Sequence, residues 1–300
     1  MESKPLVSIL VNCFNGEKFL SEAINSIINQ SYSNWEVIFW DNQSTDSSAD
    51  IFKSFQDKRL KYFLAPSHKN LAAARKEAMT KVLGEWVAIL DTDDIWTHDK
   101  LEKQVHMITT TSQKKLGLIY GKCIHFTDKD QYTVYKYSTF CPTGSIFDEL
   151  LYGNSFISWP SVFFSMEAYR NVGGFNDDYP IATDYDLILK ISTSYSFDYI
   201  PDTIAYYRIH EDNLLGGNIE QSFKEQYKIL GSYYPYKLAL KMQNVVIARN
   251  TVYNLRSKNY KSAFNTLKMI KLSGLFFYFT GIIKLISRRE KSVHMSGYRG

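Results

Sequence analysis

Trp86-Val87-Ala88-Ile89-Leu90 runs directly into Asp91-Thr92-Asp93-Asp94. Five successive apolar residues have the character of a buried strand, and three acids at its end make a poor core. Buried carboxylates are costly unless they are paired or bound to a cation. Acids at the C-terminal end of a buried strand lie where open α/β sheets place their ligands. Two carboxylates at i and i+2 can converge on one hard divalent ion. The competing reading is a polar turn in which Asp94 caps a helix starting near Thr97. Asp-x-Asp alone is common, so the surrounding pattern has to decide.

Outward from that stretch the hydrophobic period alternates. Leu6 to Val11 is a continuous apolar run of strand length. Leu20, Ala23, Ile24, Ile27 and Ile28 recur at helical spacing, and Trp35 to Trp40 forms a second strand ending at Asp41. Ser44-Thr45-Asp46 opens a second helix with capping residues. Leu60 to Leu64 is a third strand. Ala72, Ala73, Ala74, Ala78, Met79 and Val82 form the next helical face, which Gly84 is expected to end. This order predicts an α/β fold, a mainly parallel sheet with helices on both faces.

Farther on, Leu118 to Phe126 reads as a strand followed by a hairpin through Asp128-Lys129-Asp130. Ser161 to Ser165 is another strand, Gly173-Gly174-Phe175 a turn, Asp184 to Ile191 a helix and Ile204 to Ile209 a last strand. Near residue 218 the character changes to helix. The expected organisation is therefore a domain over 1–217 and a helical region over 218–300. In the latter, Tyr253, Leu255, Tyr260, Ala263, Phe264, Leu267 and Ile270 suggest a helical hairpin turning near Lys258-Asn259. Leu275-Phe276-Phe277-Tyr278-Phe279, Ile282, Ile283, Leu285 and Ile286 follow, flanked by Lys284, Arg288, Arg289 and Lys291. That pattern fits an interfacial helix on an anionic membrane or a terminal helix packed on the preceding domain.

Composition narrows the class. Three hundred residues with 45% hydrophobic content are enough for one large domain and an appendage. A net charge of +4 lacks the strong basic stripe of a nucleic-acid binder. Cys13, Cys123 and Cys141 are an odd number without CxxC spacing, which points to reduced thiols and a cytoplasmic setting. The N-terminus carries no secretory h-region, and no run of about 18 apolar residues occurs. The aromatic content of 15%, with 22 Tyr and 19 Phe, suits carbohydrate and nucleotide surfaces but equally reflects a compositional bias.

Strand ends at Asn12-Cys13-Phe14-Asn15-Gly16, at Asp41-Asn42-Gln43-Ser44 and at Asp91-Thr92-Asp93 are expected along one carboxyl edge. Asp41 there can accept from a base N–H or a ribose, or serve as an acid at a helix N-terminus. Neither GxGxxG after the first strand nor GxxxxGK[ST] is present, which weakens dehydrogenase and P-loop readings. A diphosphate would then need a metal, from Asp93, and positive charge, from Arg75.

Several segments, in order, resemble family 2 glycosyltransferases. They are Pro5 to Asn15, Leu20 with Ser26 to Tyr32, Trp40 to Asp46, Asn70 to Arg75, Gly84 to Asp94, Gly173-Gly174-Phe175, Asp184 to Leu187, and Tyr207-Arg208-Ile209-His210. Any one is weak; the ordered series over roughly residues 5–213 is specific. The resemblance implies a GT-A fold and transfer of a sugar from a nucleoside diphosphate donor, UDP- or dTDP-linked. It implies that Asp41 binds base or ribose, with Phe14 lining the base pocket. Asn15, Arg75, Asp91 and Thr92 would belong to the same nucleotide-sugar site. Asp93 would ligate Mn²⁺ or Mg²⁺ with His210 as second contact, and Asp184 would be the catalytic base. Trp159, Tyr152 and Tyr179, in loops between residues 120 and 180, are expected near the acceptor, a glycan or lipid-linked hydroxyl in polysaccharide or lipopolysaccharide synthesis at the inner membrane face.

The chemistry of the residues agrees. A departing diphosphate needs its growing charge neutralised, as a metal does, and the acceptor hydroxyl needs a base. Alternatives stand beside each assignment: Asp184 as helix N-cap, His210 as a surface residue, Arg208 as a phosphate contact or partner of an acid. The chain departs from the family's Pro-Thr-Tyr-Asn at Asn12-Cys13-Phe14-Asn15, has Thr183 before the base, and lacks Gln-x-x-Arg-Trp. One sugar per encounter is expected. A phosphohydrolase with Asp91 as nucleophile does not fit a motif after the fourth strand. A non-catalytic binding module would not require Asp184 and His210.

Overall fold

A computed structural model describes residues 4–128, 140–153, 156–211, 213, 218–233 and 235–269. The expected hairpin tip at Lys129-Asp130 and the apolar, basic stretch from Leu275 to Lys291 lie outside the described residues.

β1 (Val7–Cys13) and β2 (Trp35–Asp41) are buried throughout except at Asn12, as continuous apolar runs require. They pair in parallel, with Cys13 opposite Asp41. β3 (Leu60–Leu64) joins β2 and β4 (Trp86–Ile89) joins β1, both parallel. Parallel neighbours need crossover connections, supplied by α1 (Glu17–Ile28), α2 (Ser48–Ser54) and α3 (Leu71–Ala78). α1 buries Leu20, Ala23, Ile24 and Ile27. The Phe39 and Phe52 rings stack 4.0 Å apart to seat α2 on β2.

The second half continues with β5 (Ile95–Trp96), α4 (Lys100–Thr110), β6 (Leu116–Phe126), α5 (Phe147–Leu151), β7 (Phe163–Ser165), α6 (Met166–Asn171), α7 (Thr183–Ser192) and β8 (Ser196–Arg208). One eight-stranded sheet results, ordered β3-β2-β1-β4-β7-β6-β8-β5. β7 runs antiparallel to β4 and β6, β8 runs parallel to β6, and β5 is antiparallel to β8. The sheet is thus parallel from β3 to β4 and mixed beyond.

Several boundaries differ from expectation for local reasons. α2 starts at Ser48, because Ser44 and Asp46 are held in the preceding loop: Ser44 N–H donates to Asp41, and Asp46 accepts from the N–H groups of Glu17 and Ser48. Pro160 sits in a 3-10 turn, Trp159–Ser161, so strand β7 begins only at Phe163. Gly84 does not end α3, which stops at Ala78 and passes through a 3-10 turn, Met79–Lys81. Its role is close approach: a Cβ there would lie 2.6 Å from the Leu6 carbonyl oxygen and the Ser8 nitrogen. Backbone on β1 cannot yield cheaply, so Gly84→Ala is expected to cost about 1–3 kcal/mol. Thermal denaturation reads this as a lowered Tm; an unchanged Tm would refute the close-approach account.

The chain divides into two compact units, Met1–Phe147 with Asn154–His210, and Asp148–Gly153 with Glu211–Gly300. All eight strands belong to the first. The second contains α8 (Ile219–Gly231), α9 (Lys237–Arg256) and α10 (Tyr260–Leu267). The α9–α10 turn falls at Lys258, whose φ is 57°. Asn259 caps α10 by accepting from Ser262 N–H. The residues that signalled this hairpin are not the ones it buries. Of them Ala263 is buried, while Tyr253, Leu255, Tyr260, Phe264 and Leu267 are exposed. Among the described residues, no helix is long and apolar enough to cross a membrane.

Candidate active site

Parallel pairing brings the ends of β1, β2 and β4 to one edge. Asn42 N–H donates to the Cys13 carbonyl at 2.8 Å, and Leu90 N–H to that of Leu10 at 3.1 Å. Asn15, at φ 54°, ties the two following loops together. Its N–H donates to Ser44 Oγ at 3.1 Å, and its Oδ1 accepts from Thr45 N–H at 2.8 Å. Thr92 packs where a side chain at Gly16 would be, its Oγ1 2.8 Å from that Cβ position. Phe14 is 51% exposed, and its ring lies 4.3 Å from the His68 imidazole. Asn42, in turn, sits 3.0 Å from His68 Nδ1 through its carbonyl oxygen.

Asp41, the neighbour of Asn42 in the chain, is buried. Its Oδ1 accepts from Ser44 N–H at 2.7 Å and its Oδ2 from the Tyr62 hydroxyl at 2.6 Å. Burial and the adjacent Asp41 carboxylate push the Tyr62 phenol well up. Sequence reasoning missed His68 and Tyr62: one sits in a patternless loop, and the other looks like an ordinary strand aromatic.

The acidic stretch splits into separate environments. Asp91 Oδ1 accepts from Arg75 Nη2 at 2.6 Å. Arg75 is 2% exposed, and its guanidinium lies 5.1 Å from the centre of the Trp159 ring. Asp184 belongs to the same neighbourhood, because the charges of Arg75 and Asp91 both act on it. Burial raises its carboxyl from the ordinary aspartate value; the Tyr185 N–H, at 2.7 Å, and Arg75 offset part of that rise. Asp91 is likewise raised by burial, with Arg75 opposing. Asp184 is not the N-cap of α7, a position held by Ala182. Asp186 is buried and paired with Lys190 at 2.8 Å, which occupies it structurally. Trp159 thus lies against Arg75, while Tyr179 sits half-buried in the loop after Phe175, its N–H bonded to the Asn176 carbonyl.

Antiparallel pairing of β5 with β8 sets Ile95 opposite Tyr206. The end of β8 therefore returns to the acids. His210 Nε2 lies 2.9 Å from Asp93 Oδ2, and Arg208 Nε donates to the Asp93 carbonyl oxygen at 3.0 Å. Arg208 is buried between the rings of Phe19 and Phe126 and ion-paired with Glu22 and Asp128. It is a partner of acids that holds the loop from behind.

Asp94 was expected to cap the next helix and does not. Residues Ile95–Trp96 continue as strand, and α4 begins at Lys100 with Asp99 at its N-cap. Asp94 is instead buried, its Oδ1 accepting from Arg208 N–H at 2.9 Å. Burial and the neighbouring Asp93 and Asp91 push its carboxyl well up.

Asp93 and His210 bring a carboxylate oxygen and an imidazole nitrogen to one point. Among the described residues no group of three or more His, Cys, Asp or Glu could hold a metal. Two protein donors fit a Mn²⁺ or Mg²⁺ whose other positions are filled by phosphate oxygens and water, as is usual for substrate-borne divalent ions.

The fold and the chain have known counterparts. S. aureus TarS in complex with UDP-GlcNAc superimposes with a TM-score of 0.67 at 17% identity, covering 96% of this chain and 82% of that one. The mannosyltransferase PcManGT from Pyrobaculum calidifontis, in complex with GDP-Man and Mn²⁺, gives 0.58 at 18%, covering 96% and 89%. The fold is therefore GT-A. In Escherichia coli, the UDP-Glc:alpha-D-GlcNAc-diphosphoundecaprenol beta-1,3-glucosyltransferase WfgD is 35% identical over 116 residues, 39% of this chain and 45% of WfgD. The chain's match thus spans less than half the length of such curated relatives. The model of Glycosyl transferase family 2 matches residues 8–173, more than half of the chain, and the chain belongs to that family.

Proposed function

We propose that the chain is an inverting, metal-dependent glycosyltransferase of cell-surface polysaccharide or lipopolysaccharide synthesis. It moves a sugar from a UDP- or dTDP-linked donor to a hydroxyl of a glycan or lipid-linked acceptor, at the cytoplasmic face of the membrane. The observation that carries this reading is the division of labour among the carboxylates. Asp184, with a raised carboxyl, lies beside the Arg75–Asp91 pair, while Asp93 is engaged by His210. The names of WfgD, TarS and PcManGT support a nucleotide-sugar donor, and that of WfgD a lipid-linked acceptor.

In this reading Phe14 and His68 flank the base, and Asp41 accepts from base or ribose. Asn15 and Thr92 shape the loops around the nucleotide. Arg75 holds Asp91 in place and supplies positive charge. Asp93 and His210 would hold the divalent ion, which supplies Lewis-acid neutralisation of the departing diphosphate. Asp184 accepts the proton of the acceptor hydroxyl. The acceptor oxygen forms a bond to the anomeric carbon as the bond to the diphosphate oxygen breaks. A single displacement from the opposite side inverts that carbon. Trp159 and Tyr179 face the acceptor in this scheme.

Thermal-shift measurements with Mn²⁺ and a panel of nucleotide sugars test the donor. A ligand at 100 times its Kd stabilises the native state by about 2.7 kcal/mol, so the true donor is expected to raise Tm where the others do not. Nucleotide release on adding acceptor completes the test. Donor binding without release would favour a binding module over a transferase.

A further inference from the structure

We infer that the α9–α10 hairpin is a docking face for an anionic membrane surface. This names the surface behind the membrane location proposed above, rests on that location, and needs nothing from the sugar chemistry. Of the twelve exposed large hydrophobic residues among those described, six fall between 253 and 269: Tyr253, Leu255, Tyr260, Phe264, Leu267 and Met269. Tyr260, Phe264 and Leu267 stand at i, i+4 and i+7 on α10, so they form one stripe. Tyr260 is 65% and Phe264 60% exposed.

The buried side of the hairpin is mixed, with Met242, Val246, Ile247, Ala248 and Ala263 beside polar groups. Asn250, Asn254 and Thr266 are buried there: Asn254 Nδ2 donates to Asn250 Oδ1 at 2.8 Å, and Asn250 Nδ2 to Thr266 Oγ1 at 3.3 Å. Concentrated exposed apolar surface marks an interaction site.

Charge selects the partner. From Lys237 to Met269 the chain carries seven Lys and Arg and no acid. The rest of the molecule is acidic in balance, since the whole chain is only +4. Arg256 and Lys258 just precede α10, Lys261 lies on it and Lys268 follows it, with the Lys268 ammonium 4.6 Å from the centre of the Phe264 ring. An apolar stripe in an acid-free basic segment matches the interface of an anionic bilayer, where rings enter the headgroup layer and ammonium groups meet phosphates. Pairing the same face with a second copy would oppose two basic segments.

Co-sedimentation of the full chain with vesicles tests this. Stronger binding is expected to vesicles of roughly one-third phosphatidylglycerol than to pure phosphatidylcholine, weakened by salt. Tyr260→Ser with Phe264→Ser, and separately Lys258→Glu with Lys261→Glu, are each expected to lower partitioning at least about tenfold. Both double variants should keep the wild-type Tm and nucleotide release with a soluble acceptor. The apolar stretch from Leu275 to Ile286 stays intact in both. Wild-type binding by both variants would therefore place the contact elsewhere and overturn the proposal. Equal binding to neutral vesicles would overturn it too. So would concentration-dependent self-association, in analytical ultracentrifugation, that the same variants abolish. Expected vesicle binding with no nucleotide release by any form would instead remove the transfer reading and leave this one standing.

Discussion

Asp184→Asn lowers kcat by about 10³-fold or more while leaving donor affinity nearly unchanged. Loss of a positioned general base typically costs about 10²–10⁴-fold. Here the upper part of that range is expected, because the carboxylates Asp186 and Asp91 are already engaged by basic side chains, Lys190 and Arg75 respectively. The substitution is mild for the fold, since an asparagine Oδ1 can still accept from the Tyr185 N–H that Asp184 binds at 2.7 Å. The pH profile supplies a second readout. Burial raises the Asp184 carboxyl, so it is protonated and inactive below a pKa shifted up from the ordinary aspartate value. In the wild type kcat/KM rises with pH through that value and levels off above it. In the variant this limb disappears. Turnover within tenfold of wild type would remove Asp184 from its role.

Asp93→Ala lowers activity by about 10²–10³-fold, equivalent to a few kcal/mol of lost charge stabilisation. A chelator reproduces the loss in the wild type. His210→Ala has a smaller effect in the wild type and almost none in the Asp93→Ala background. Groups serving one ion act as a unit and are non-additive. The 2.9 Å separation between Asp93 and His210 is the reason to expect that coupling. Calorimetry of Mn²⁺ with the nucleotide present should show weakened binding in both single variants, more so for Asp93→Ala. Full activity in metal-free buffer would eliminate the metal role, and additive effects of the two substitutions would separate His210 from it.

The first four strands were legible because each is a short apolar run closed by polar residues, and parallel burial demands that pattern. The stripe Leu20, Ala23, Ile24 and Ile27 was legible for the same reason at helical period. Asp94 was misread because a single acid before Ile95-Trp96 looks like a cap. Only the pairing of those two residues with Tyr206 and Ala205 shows that they are strand. Gly84 was misread because a glycine after a helical run looks like a C-cap. The crowding comes from Leu6 and Ser8, more than seventy residues away in sequence. In the hairpin, apolar periodicity announced helices but not which side they bury.

The sequence by itself determined the α/β order, the polar residues at the strand ends and the candidate carboxylates. Those depend on local period and residue type. Only the tertiary structure decided which carboxylates share an environment. It set Asp184 beside Arg75 and Asp91, gave His210 to Asp93, enclosed Asp94 behind Arg208, and paired Phe14 with His68. Those partners lie up to 117 residues apart, and such distances are closed by sheet register rather than by any pattern along the chain.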